Sequence, residues 1–94
     1  MGRAEYKVEG GKLIKVQLSR KGNLIEAIKI TGDFFLHPEE LIEDLELKLA
    51  GHPLDEKALI RLMKTLVEKK KATLLGASPE DFAKCIMMAG GDGG

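Results

Sequence analysis

The sequence is poor in the residues from which small chains usually build chemistry. Of its 94 residues one is cysteine, none is tryptophan, and only 4% are aromatic. A lone cysteine, Cys85, closes no internal disulfide and cannot form a zinc-binding CxxC site, so a cytoplasmic setting is expected. One tyrosine and three phenylalanines are too few to stack the successive bases of a single strand. Fifteen Lys+Arg cancel fifteen Asp+Glu, which removes the cationic surplus on which nucleic-acid binding depends. No run approaches the roughly 18 apolar residues of a membrane-spanning helix, and Met1-Gly2-Arg3-Ala4-Glu5 lacks the apolar stretch of a signal peptide. The phosphate-cradling patterns G-x-x-x-x-G-K-[ST] and G-x-G-x-x-G are absent, so nucleotide binding by this chain alone is not expected. His37 and His52 flank a helix instead of sharing a face of it, and Cys85 sits on an apolar stripe; all three read as structural. No catalytic, cofactor-binding or metal-binding residue is therefore expected. A chain this short also leaves roughly 40% of its unfolded surface exposed after folding. That favours a module or subunit over a self-contained enzyme.

What is present is clear patterning. Ala4, Tyr6 and Val8 alternate with Arg3, Glu5, Lys7 and Glu9; Ile14, Val16 and Leu18 alternate with Lys15, Gln17 and Ser19. Two half-buried strands follow, joined through Gly10-Gly11 as a two-residue turn. After a turn at residues 19–23 a third strand is expected, with Leu24, Ile28 and Ile30 inward and Glu26 as an imperfection. Three amphipathic helices then cover the apolar face of this meander. The first begins at His37-Pro38-Glu39-Glu40, carries Leu41, Ile42, Leu45 and Leu49, and ends at Gly51. The second starts from an Asp55 cap and carries Ala58, Leu59, Leu62, Met63 and Leu66. The third opens with Ser78-Pro79-Glu80-Asp81 and carries Phe82, Cys85, Ile86 and Ala89. The expected class is α+β: a three-stranded antiparallel sheet covered by about three C-terminal helices. Residues 1–89 form a single domain and residues 90–94 a flexible glycine-rich tail.

The neutral total hides local charge. Residues 1–30 hold seven basic and three acidic residues, whereas residues 31–50 hold one basic and six acidic. Glu39, Glu40, Glu43, Asp44 and Glu46 read as the solvated face of the first helix. The terminal Gly93-Gly94 matches the diglycine of small sulfur carriers and ubiquitin-like modifiers, where a side chain would block a narrow channel. Those carriers lead a strand into the tail, and here the preceding segment reads as helix. A protein-interaction module of another pathway is a further alternative.

Local rules explain Thr31-Gly32-Asp33-Phe34-Phe35 least well. Two of the three phenylalanines stand together at the exit of the last strand, beside a glycine and an aspartate suited to a tight corner. They fit either a packed core corner or an aromatic anchor offered to a partner.

The order of these elements resembles the small C-terminal domain of lipoate–protein ligases. The resemblance rests on Gly11-Lys12-Leu13-Ile14-Lys15-Val16, on Ile28-Lys29-Ile30-Thr31-Gly32-Asp33-Phe34-Phe35, on the acidic helix from Leu41 to Gly51, on Ala58 to Val67, and on Leu75-Gly76-Ala77-Ser78-Pro79-Glu80-Asp81-Phe82. It covers about residues 11–89. Leu36 departs from the family, which often has another glycine there. The resemblance implies a non-catalytic accessory subunit of a two-chain lipoate–protein ligase. Its partner would be a large catalytic subunit that binds lipoate, ATP and Mg and forms lipoyl-adenylate. The lipoyl group then passes to a lysine on an acceptor domain of a 2-oxoacid dehydrogenase or glycine cleavage protein. The small chain is implied to serve adenylation, with Thr31, Gly32, Asp33, Phe34 and Phe35 as the candidate partner interface.

Overall fold

A computed structural model describes residues 2–91. Strands β1 (Gly2–Lys7), β2 (Leu13–Lys21) and β3 (Leu24–Gly32) pair antiparallel in the order β1-β2-β3. The expected α+β meander is present. Its alternation places Ile14, Val16 and Leu18 in the core, while Lys15 and Gln17 face outward. The first hairpin loop is one residue longer than expected. Val8 N–H donates to Lys12 O, leaving Glu9-Gly10-Gly11 as the loop, with Gly10 at φ 68°. The second hairpin is tighter, because β2 continues through Lys21 and only Gly22-Asn23 turn the chain.

The imperfection at Glu26 is a β-bulge. Ser19 faces Ala27 and Arg20 faces Ile25, so Glu26 has no opposite residue on β2. One extra residue inverts the side-chain phase of a strand. Leu24 is therefore 45% exposed and Ile25 fully buried, reversing the inward set expected at that end of the strand.

Helices α1 (Leu41–Leu49), α2 (Glu56–Lys69) and α3 (Pro79–Gly91) form the covering layer. α3 lies on β1 and β2, α1 on β3, and α2 on α3. Asp55 caps α2 by accepting from Lys57 N–H at 3.1 Å. At α3, Ser78 Oγ accepts from Asp81 N–H and Asp81 Oδ2 accepts from Ser78 N–H, a reciprocal capping box. α1 begins later than expected. Pro38 to Glu40 form a turn in which Leu41 N–H donates to Pro38 O, and the His37–Pro38 peptide is cis.

Two strands fall where a loop and a link were expected. β4 (Phe35–His37) pairs antiparallel with β5 (Thr73–Leu75). Three residues are too few to show a period, and this pairing joins segments far apart in sequence. The expected tail boundary also moves. α3 runs through Gly91, and Gly90 is buried under Leu54, whose methyl carbons leave no room for a Cβ. Arg20 Nη1 donates to Gly90 O at 2.8 Å and ties the helix end to β2. Residues 92–94 of the expected tail lie outside the described residues.

The bulge has a measurable consequence. Ile25→Ala should cost about 2–5 kcal/mol and Leu24→Ala less than about 1 kcal/mol in urea unfolding. Equal losses at the two positions would contradict this strand phase.

Candidate partner interface

The corner after β3 is built by a clasp between Asp33 and the start of β2. Leu13 N–H donates to Asp33 Oδ1 at 2.6 Å, and Asp33 N–H donates to Leu13 O at 3.2 Å. Gly32 is needed beside it. At φ 153° a Cβ there would collide with Leu13 O and stand 2.9 Å from the Phe34 ring. The clasp turns the chain so that half-buried Phe34 packs against the core and meets Phe82 edge to face, with centroids 4.8 Å apart at 85°.

Alternation then sends Phe35 outward. Phe35 is 53% exposed, and its ring runs parallel to that of His37 two residues on, at 6.4 Å. Across the ribbon it faces Leu75, itself 59% exposed, while Leu36 and Leu74 point inward. The two phenylalanines thus divide between the two readings of the motif: Phe34 is packed and Phe35 is offered to solvent. Thr31 is exposed at the same end of β3.

Thr31, Gly32, Phe34 and Phe35, with Ile30 and Ile42, line an open groove that has Glu39 at its rim. Asp33 is outside it, on the β2 side of the corner. Leu75 escaped the sequence reading because nothing local marks β5; Leu74-Leu75 is an apolar pair whose exposed member only the pairing with β4 selects. His37, read as a helix junction, belongs instead to the outward face of β4. Glu46, read as part of a solvated face, is half-buried, and its Oε2 accepts from Ile30 N–H at 2.8 Å.

The remaining reactive groups are held in structural roles. His52 Nδ1 lies 2.7 Å from Pro53 O, in the turn that borders β3. Cys85 is fully buried, with Sγ 3.6 Å from Ile14 O, and burial pushes its thiol up from 9.0 to about 11. Among the described residues no three His, Cys, Asp or Glu side chains converge to hold a metal ion. The anion sites that helix N-termini could offer are filled by Asp55 at α2 and by Ser78 with Asp81 at α3. At α1 no side chain caps the N-terminus among the described residues. No helix among them is long and apolar enough to cross a membrane.

The fold and the site define a small α+β domain with a fixed corner beside an open groove. The family model described as bacterial lipoate protein ligase C-terminus matches residues 3–86, and the chain belongs to that family. It is 35% identical over 74 residues to lipoate-protein ligase A subunit 2 of Thermoplasma acidophilum, covering 79% of this chain and 76% of that protein. It also superposes with a TM-score of 0.77 and 31% identity on a chain from the structure of an archaeal lipoylation system from the same organism. That work describes a bi-partite lipoate protein ligase and its E2 lipoyl domain; the match covers 89% of this chain and 91% of the other.

Two outcomes follow from the packing. Phe34→Ala should lose about 2–3 kcal/mol in denaturant unfolding and Phe35→Ala no more than about 0.5 kcal/mol. Cys85 should react with a thiol reagent on the order of a hundredfold more slowly in the native chain than in denaturant. Because the folded state keeps the Cys85 proton to higher pH than the unfolded one, its contribution is intact below about pH 9 and is lost towards about pH 11. Cys85→Ala should lack that part of the alkaline decline when the two stability profiles are compared.

Proposed function

We propose that this chain is the non-catalytic accessory subunit of a two-chain lipoate–protein ligase, required with a large catalytic subunit for ATP-dependent adenylation of lipoate. The observation that carries this reading is the likeness to a subunit 2 over most of the length of both chains. The geometry agrees with it. The domain has one core, and among its described residues the buried side chains are apolar. It offers a rigid corner with an exposed aromatic.

In this reading lipoate, ATP and Mg bind the large subunit, and the acceptor is a lysine on a lipoyl domain of a 2-oxoacid dehydrogenase or glycine cleavage protein. A role in the first half-reaction has a physical basis. Lipoyl-adenylate is a mixed anhydride that water destroys, and a docked second body excludes water and fixes loops over the site. Transfer to the lysine needs the opposite, an entrance wide enough for a protein domain. The small subunit therefore matters most for making the adenylate and least for its use. The diglycine-carrier alternative has less support, because the last element before residues 92–94 is a helix and not a strand.

The test is reconstitution. The large subunit should co-purify with this chain, and lipoate-dependent pyrophosphate release should rise at least tenfold when the two are combined. Transfer from preformed lipoyl-adenylate should change much less. Equal pyrophosphate release by the large subunit with and without this chain would overturn the assignment.

A further inference from the structure

β3 is an edge strand, and the protein itself closes part of its outer edge. Near the bulge, Ile25 N–H donates to His52 O at 2.9 Å and Gly51 N–H donates to Ile25 O at 2.6 Å. Further along, Ile30 N–H donates to the Glu46 carboxylate. Alternate residues of an antiparallel ladder turn their N–H and C=O away from the partner strand. Ile30 is one such residue, so Gly32 is the next, and its N–H has no partner among the described residues. This open stretch of edge faces the groove beside Phe35.

Unpaired edges with apolar neighbours invite strand addition, and proteins usually cover them. Here the Glu46 carboxylate and the turn at residues 51–52 cover the edge at Ile30 and Ile25; of the outward-turned positions left among the described residues, Ile28 and Gly32, it is Gly32 that lines the groove. Next to it the exposed Phe35 and Leu75 extend the apolar surface across the β4–β5 ribbon. The groove rim is anionic: Glu39 lines it, Glu40 and Glu43 follow on the exposed surface, and no cation lines it.

We propose that the catalytic subunit docks by an extended segment that pairs with β3 at Gly32, lays an apolar side chain against Phe35 and Ile42, and presents lysine or arginine to Glu39. The charge selects this occupant over a second copy of the chain. A two-fold self-pairing would bring the same patch from both copies together, and with it two acidic rims. A cationic segment from a different chain meets no such repulsion. The proposal rests on the accessory-subunit reading and specifies how that subunit is held.

The test uses the full chain, isotopically labelled, with the unlabelled large ligase subunit from the same organism. On complex formation the Gly32 amide should exchange with solvent at least tenfold more slowly. Phe35→Glu should weaken binding at least tenfold, and Glu39→Lys should weaken it severalfold and reduce its salt dependence. The exchange measurement needs no substitution and so stands apart from any folding defect. A complex in which Gly32 exchanges as fast as in the free chain, or in which Phe35→Glu binds like the wild type, overturns this docking mode and leaves the accessory-subunit reading intact. Failure of the unmodified chains to form a complex overturns both.

Discussion

The edge-to-face contact between Phe34 and Phe82 is the constraint on which the interface depends. Phe82 is fully buried on α3, the helix that covers β1 and β2, so the contact ties the exit of the sheet to the helical layer. An aromatic pair of this geometry contributes about 0.5–1.5 kcal/mol beyond its burial. Its directional effect is larger. Once Phe34 points inward, the two-residue period of an extended chain sends Phe35 outward, Leu36 inward and His37 outward. The exposed aromatic is thus a consequence of the inward-packed one. The Asp33 clasp and the glycine before it set the angle at which this sequence of directions begins.

Under the proposed function, this division would let a domain of 94 residues serve a reaction without housing it. Its core holds 18 buried apolar residues with others half-buried against it, and among the described residues no buried side chain is polar or charged. The groove beside the corner is open and shallow, suited to a side chain of another protein but not to enclosing a substrate. The chemistry expected of the family needs exclusion of water more than it needs further functional groups, and a rigid body docked at the right place supplies that.

The parts legible in the sequence were those governed by local periodicity or by capping. Two hairpins, three amphipathic stripes and the caps at Asp55 and Ser78 all follow from residues within one or two turns of each other. The illegible parts depend on residues distant in sequence. Glu26 looked like a flaw in a strand because a bulge is defined by what lies opposite it. β4 and β5 are invisible separately and exist because each supplies the other's hydrogen bonds. Glu46 was counted with its acidic neighbours, although the half-buried bond to Ile30 N–H is set by where α1 crosses β3. Gly90 looked like the start of a tail because its reason for being glycine, the Leu54 side chain, lies in another loop. The motif at residues 31–35 stands out in the sequence as a candidate, but its division of labour does not, since two identical side chains differ only in which way the strand turns them.

Charge and burial together favour the surface named in the proposed docking. The outer sheet face is broad and carries Arg3, Lys7, Lys15 and Lys29, with Glu5 3.9 Å from Lys15. An exposed pair of that kind contributes about 0–1 kcal/mol, and covering the face would strip water from several charges with no matched partner in this chain. Covering Phe35 and Leu75 instead removes apolar surface from water, at about 25 cal/mol per Å². The zero net charge conceals this wet basic face and an acidic helix beside the groove. The first keeps the sheet solvated, and the second sets the sign of what can approach the corner.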